Sequence, residues 1–350
     1  MVEALFHEEV ASWFRDRFGT PTEVQTRAWP IIATGEHVLL TAPTGTGKTL
    51  SAFLWAIDRL VRRAWGADSI RVVYVSPLKA LNNDIRENLI SPLADLQRRF
   101  SDRGVAFPDI RVHVRSGDTP QSERRRLISH PAATLITTPE SLNLMLSSPR
   151  SRELFTGVQT VILDEIHAVA GEKRGTHLML GVERLGLLAG DFQRVALSAT
   201  VQPLEEVGRF VAGSSWSSSG RSPRTLRARP IRLISVAGEK QIDLAVRYLP
   251  PSAERTPDDS VWQRIADEIR PQISPGTANL IFVNSRRLAE RLSHLINTTA
   301  VVAFAHHGSL AKELRLAVKK RLKAGGGFGR SSRHLHSRWA STLEILIQSS

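Results

Sequence analysis

Residues 42–49 read Ala-Pro-Thr-Gly-Thr-Gly-Lys-Thr, between the apolar run Val38-Leu39-Leu40-Thr41 and a helical stripe of Leu50, Phe53, Leu54, Ile57, Leu60 and Val61. A small-residue turn that ends a buried strand and opens a helix on Lys-Thr is the context of a phosphate-binding loop. The small residues Thr44, Gly45, Thr46 and Gly47 let backbone N–H groups approach phosphate oxygens. Lys48 is placed to reach the β- and γ-phosphates, and the Thr49 hydroxyl to ligate Mg²⁺. The helix N-terminus adds a positive field of its own. Ala42 stands where the general pattern has glycine. The competing reading is a strand–helix turn that holds no ligand, and the Gly-Lys-Thr placement argues against it.

The rest of the chain agrees with that constraint. Val38–Ala42, Val72–Pro77, Arg111–Ser116, Thr134–Thr138, Val158–Asp164 and Arg194–Leu197 read as strands. Several are almost unbroken runs of Val, Ile and Leu, as strands covered on both faces are. Alternation with helical patterns predicts an α/β fold, a parallel sheet with flanking helices, over residues 1–212. Ligands of such sheets bind at the carboxyl ends of the strands. Residues 213–230 are rich in Ser, Arg, Gly and Pro and read as a linker. Residues 231–323 resume the α/β pattern, with strands expected at Ile231–Val236, Asn279–Asn284 and Val301–Ala305. Helices are expected at Val261–Ile269, Leu288–Ile296 and Leu310–Leu322.

Asp164-Glu165-Ile166-His167 closes the apolar strand Val161–Leu163. An Asp there holds the Mg²⁺ hydration shell, and the adjacent Glu orients and deprotonates an attacking water. Two acids after a strand, taken alone, read equally as a solvated strand end; the upstream phosphate loop favours catalysis with ATP and Mg²⁺ as cofactors. Cysteine is absent, which excludes disulfides and thiolate chemistry. The 47 basic and 34 acidic residues give a net charge of +13. That suits a polyanionic partner, or equally a solvated basic surface. No apolar run is long enough for a membrane span and the N-terminus is no secretory signal, so a cytoplasmic protein is expected. The run Arg124-Arg125-Arg126 reads as a solvated helix face, and adjacent His306 and His307 do not read as a metal site.

Thr46-Gly47-Lys48-Thr49, Asp164-Glu165-Ile166-His167 and Ser198-Ala199-Thr200, in this order, resemble motifs I, II and III of a superfamily 2 helicase. The surrounding text resembles the large helicase-related (Lhr) family. It matches at Pro21-Thr22-Glu23 with Gln25, at 76–84, at 117–124, at 137–142, at 282–287 and at 306–310. The resemblance implies a RecA-like domain followed by an incomplete second RecA-like domain. It implies an ATP-dependent helicase acting on single-stranded DNA, or RNA, in DNA repair. Gln25 would read adenine, or be a surface turn residue. Pro77, Leu78 and Lys79 (motif Ia) and Thr138, Pro139 and Glu140 (motif Ib) would grip the nucleic-acid backbone, or serve as strand-to-helix caps. Ser198 and Thr200 would couple hydrolysis to movement by hydrogen bonding the loop that ends in His167. Asn284, Ser285, Arg286 and His307 would be nucleic-acid contacts of the second domain.

Two motifs of that family, V and VI, have no match after Lys323, and the second supplies arginine fingers. Residues 324–350 are rich in Ser, Arg and His and match no strand of the family. Taking the third base of each codon from Gly327 onward, synonymous choices permit the string LRAVVATSSLEVGID, which resembles motif V. A frameshift near Gly325–Gly327 is therefore expected, and the nucleotide sequence decides it. The alternatives to a helicase are a non-catalytic binder of ATP and nucleic acid and an unrelated phosphate-loop kinase. The Thr137-Thr138-Pro139-Glu140-Ser141 and Ser198-Ala199-Thr200 stretches argue against the kinase.

Overall fold

A computed structural model describes residues 2–43, 45–66, 68–77, 85–217, 225–237, 244–249, 258–273, 278–297, 303–306 and 344–348. The chain divides into two units, residues 1–239 and 240–350. The first holds strands β1 Val38–Thr41, β2 Val72–Val75, β3 Val112–Arg115, β4 Thr134–Thr137, β5 Thr160–Leu163, β6 Gln193–Ser198, β7 Ser214–Ser217, β8 Thr225–Ala228 and β9 Arg232–Ser235. Seven of them form one sheet in the order β3-β4-β2-β5-β6-β1-β9. All six pairings are parallel. Every strand therefore ends at the same edge, and the loops that follow β1, β2, β4, β5 and β6 share that edge.

The apolar strand sequences are explained by two cores, one on each face. Val38, Leu40, Val72, Tyr74, Ile162 and Val195 face a layer with Trp13, Phe14, Trp29, Phe53 and Ile57. Leu39, Val73, Val75, Val161, Leu163 and Ala196 face the other, with Leu142, Leu146, Leu178 and Val182. Neighbours along a strand point to opposite faces, so a strand buried on both sides needs an apolar residue at nearly every position. On the first face Trp29 meets Phe6 and Phe14 edge-on at 4.9 and 5.2 Å.

The segment read as a linker is fastened to this unit. β7 and β8 form an antiparallel hairpin. Arg194, 1% exposed, donates to Glu183 at 2.8 Å and to the carbonyls of Val211 and Ala212. Arg229 donates to the same carboxylate at 3.0 Å, and its N–H to the Gly213 carbonyl. A carboxylate shared by two guanidinium groups can offset the desolvation of both. Gly213 makes the turn at φ +62°, where a Cβ would lie 2.0 Å from Glu183 Oε1. Gly213→Ala is expected to cost roughly 1–3 kcal/mol, read as a lower urea midpoint at unchanged slope.

β9 is a second departure. It was expected to open the second domain, yet it pairs with β1, Thr41 opposite Ser235. Ile234 supplies the apolar contact, and Arg27 donates to the Ser235 carbonyl at 3.0 Å. The free edge of β1 accepts the next available apolar strand wherever it lies in the sequence.

The second unit has helices Asp258–Ile269 and Arg286–Ile296 and strands β10 Ala278–Phe282, β11 Ala303–His306 and β12 Glu344–Gln348. Ala266, Ala289, Leu292, Ile296 and Ala303 form its small core. β12 lies between β10 and β11, antiparallel to both. β12 falls in the 324–350 stretch that was read as matching no strand of the family. Glu-Ile-Leu-Ile-Gln is a short apolar run that can satisfy two open strand edges at once. The expected helix at Leu310–Leu322 lies outside the described residues.

Candidate functional site

The loop after β1 and the loop after β5 are separated by one strand, β6. Three of the motif segments are thus built on adjacent strands, at one edge. Gly45 and Gly47 have φ +80° and +87°, values that favour glycine. At Gly47 space demands it as well, since a Cβ would lie 2.5 Å from Gln25 Nε2. Gln25 is 3% exposed. Its Oε1 accepts from the Thr22 N–H at 2.9 Å, closing a capping box at the start of the helix Glu23–Ala33. The Thr22 hydroxyl donates to the Thr46 carbonyl at 2.6 Å. The Thr22–Gln25 cap and the loop are therefore one bonded assembly, and Gln25 is no surface turn residue. Thr44 lies outside the described residues.

Lys48 opens the helix Lys48–Val61 and is 8% exposed. Its ammonium donates to the carbonyls of Ala42 and, at 2.8 Å, Pro43. Burial lowers its pKa, while Asp164 and Glu165 oppose that shift. Asp164 is also 8% exposed, and burial pushes its carboxyl up. The Tyr74 hydroxyl, the Glu165 N–H and Lys48 pull it back. In both groups burial outweighs pairing, so a ligand bringing its own charges relieves both.

Glu165 sits in the left-handed region at φ +53°, which a non-glycine residue adopts only when its surroundings hold it there. They do so from both sides. The Glu165 N–H donates to Asp164 Oδ1 at 2.8 Å, and His167 Nε2 lies 3.2 Å from Glu165 Oε2. His167 Nδ1 accepts from the Ala199 N–H at 3.1 Å. With Nδ1 accepting, the proton is on Nε2 and points at the glutamate. The bridge between motifs II and III is thus made by His167 and the Ala199 backbone. Ser198 and Thr200 were expected to make it with their side chains. Ser198 is buried with no partner for Oγ among the described residues, and Thr200 is exposed.

The remaining expected residues divide by place. Pro77 is buried at the end of β2, and Leu78, Lys79 and His307 lie outside the described residues. Thr138 caps the helix Pro139–Ser147 through the Ser141 N–H, with Pro139 in its first turn. Glu140 takes both donors of Arg174, at 2.6 and 3.2 Å, which holds its carboxyl below the usual range. Asn284, Ser285 and Arg286 are exposed at the end of β10, where Ser285 caps the helix Arg286–Ile296. Arg125 and Arg126 are solvated as expected. Arg124 instead donates to the carbonyls of Thr119 and Gly117, fixing the loop between β3 and its helix. Sequence reading missed Tyr74, Ala199 and Arg174. Tyr74 alone left a signal, as the one polar atom in an otherwise aliphatic strand.

The residues expected to hold a cation are Asp164 and, through its hydroxyl, Thr49. Among the described residues no cluster of three or more His, Cys, Asp or Glu forms a protein-only cage. One carboxylate and one hydroxyl, completed by phosphates and water, is the set that Mg²⁺ takes in nucleotide sites, so these residues fit it. No helix among the described residues is long and apolar enough to cross a membrane.

The family model for the DEAD/DEAH box helicase matches residues 22–207. The chain is 41% identical over 325 residues to the ATP-dependent helicase Lhr-Core protein 2 of Thermococcus barophilus, 91% of this chain and 37% of that one. It is 37% identical over 363 residues to the Lhr helicase/uracil glycosylase of Escherichia coli, 92% of this chain and 24% of that one. The structure of the Mycobacterium smegmatis helicase Lhr bound to ssDNA and AMP-PNP superposes with a TM-score of 0.73 at 42% identity. That match covers 93% of this chain and 41% of that one. The chain thus spans well under half the length of these relatives. From its motifs, its sheet and these matches, the chain belongs to the DEAD/DEAH box helicases, within the Lhr group.

Proposed function

We propose that the edge formed by the loops after β1, β5 and β6 binds ATP with Mg²⁺ and hydrolyses it to drive movement along single-stranded nucleic acid. The observation that carries this is the chain Glu165–His167–Ala199, which ties the hydrolytic carboxylate to the strand lying between the two phosphate-site loops. Lys48 exchanges its carbonyl partners for the β- and γ-phosphates. Thr49 and Asp164 would hold Mg²⁺, which would screen the phosphate charge. Glu165 accepts the proton of the attacking water, with His167 Nε2–H fixing its carboxylate. The loop residues 44–47 cradle the phosphates and Gln25 reads the base. The Lhr relative that holds single-stranded DNA and AMP-PNP supports this pairing of ligands.

On this reading Pro77, Leu78, Lys79, Thr138, Pro139 and Glu140 grip the nucleic-acid backbone, joined by Asn284, Ser285, Arg286 and His307. The Thr138 cap and the Glu140–Arg174 pair hold the motif Ib loop in shape for that contact. The proposed division of the chain is a motor domain extending through β9 and a smaller second unit. The 350 residues contain no match to motifs V and VI, so a polypeptide of this sequence is proposed to bind ATP but turn it over slowly.

The test is paired. Titration with a fluorescent ATP analogue should saturate, and single-stranded DNA should tighten it. ATP turnover with DNA should stay far below that of a chain carrying both missing motifs. Absence of nucleotide binding would sink the proposal. Fast DNA-stimulated turnover would remove the deficit from it.

A further inference from the structure

Three of the four residues of β2 are valines, and the fourth is Tyr74, 2% exposed. A buried phenol needs a partner for its hydroxyl. Tyr74 lies opposite Ile162 in the β2–β5 register. Asp164 is two residues beyond Ile162, where strand alternation returns to the same face. The phenol donates to Asp164 Oδ2 at 2.5 Å. Its ring is stacked on Phe53 at 4.9 Å between centroids and 27° between planes. Phe53 is fully buried and belongs to the helix that Lys48 opens. The ring is thus clamped between the phosphate-loop helix and the sheet, and its hydroxyl is held on the motif II carboxylate.

The other oxygen of Asp164 accepts the Glu165 N–H at 2.8 Å. Each carboxylate oxygen therefore has one protein donor, which fixes the plane of the group. A carboxylate oxygen carries about two lone pairs, so acceptor capacity remains on both. We propose that Tyr74 is a positioning residue: clamped by Phe53, it orients the Asp164 carboxylate for the hydration shell of the nucleotide's Mg²⁺. The inference rests on the ATP–Mg²⁺ reading of the site and adds a residue outside all the helicase motif segments. It also explains why a tyrosine occupies a strand position where packing alone would be satisfied by phenylalanine.

The experiment compares the parent chain with Tyr74→Phe and Phe53→Leu. A fluorescent ATP analogue is titrated in EDTA and again across a Mg²⁺ series, with thermal unfolding recorded for each protein. Tyr74→Phe should leave the metal-free affinity within about twofold of the parent. It should raise the Mg²⁺ concentration needed for half of the metal-dependent gain by about tenfold or more, the range of one hydrogen bond to a charged group. Phe53→Leu keeps the hydroxyl but loosens the clamp, and should give a smaller shift in the same direction. An unmoved Mg²⁺ midpoint in Tyr74→Phe overturns the proposal and leaves the ATP reading standing. Equal loss with and without Mg²⁺ overturns it too, since that is the mark of general packing damage. A parent chain that binds no nucleotide overturns both.

Discussion

Lys48→Ala is expected to lower the affinity for ATP by about 10²–10⁴-fold while leaving the fold intact. Lys48 is 8% exposed, its ammonium feels Asp164 and Glu165, and among the described residues its hydrogen-bond partners are the backbone carbonyls of Ala42 and Pro43. Phosphate oxygens are stronger acceptors than these carbonyls, and hydrogen bonds to charged groups contribute roughly 1.5–3 kcal/mol each. Two such bonds correspond to the stated range in affinity. Alanine also leaves the buried Asp164 and the half-buried Glu165 without the Lys48 charge, so the repulsion toward triphosphate grows. The helix should survive, because alanine has the highest helix propensity and the first turn needs no side-chain donor. Equilibrium titration with a fluorescent ATP analogue measures the loss, and circular dichroism checks the fold. Unchanged affinity would mean that the loop does not hold the phosphates.

Completing the second unit should have the larger effect on rate. Residues 1–323 joined to a segment carrying motifs V and VI of this family are expected to turn over ATP about 10³–10⁵ times faster than the 350-residue polypeptide. That is the range an arginine finger contributes in phosphate-loop enzymes, or about 4–7 kcal/mol of barrier. Lys48, with the Mg²⁺ that Asp164 would hold, neutralises phosphate charge from one side only, and an arginine finger supplies the positive charge that stabilises the transition state from the other. In the completed chain Glu165→Gln should remove about 10²–10⁴ of the rate, the usual share of a general base. Nucleotide affinity should change little, because glutamine keeps the shape and a hydrogen-bonding oxygen toward His167. Steady-state phosphate release with and without single-stranded DNA measures both. A completed chain that is no faster would show that the missing motifs are not what limits turnover.

Much of the site could be read from sequence because its chemistry is local. Gly45 and Gly47 are dictated by backbone angles and, at Gly47, by the close approach of Gln25. Asp164 and Glu165 follow directly from the end of a strand buried on both faces. The motif III contact was misassigned for an equally physical reason. The donor is the N–H of Ala199, and backbone donors are the same in every residue, so sequence points to the hydroxyls on either side. Tyr74 escaped because its partner is 90 residues away on another strand.

The sequence by itself determined that residues 38–198 form a parallel sheet with helices on both faces and a glycine-bearing loop at its carboxyl edge. Continuous aliphatic strands, helical stripes and the glycine positions each admit few other arrangements. Only the tertiary structure decided that β9 completes the first sheet, that the Ser/Arg segment is anchored by Glu183, and that β12 sits between β10 and β11. Strand pairing is satisfied by any chain segment that reaches an open edge in register, and that choice depends on which faces remain unburied once the rest has packed. It also decided the clamp on Asp164, because a hydroxyl and a carboxylate far apart in the chain become partners only when β2 and β5 lie side by side.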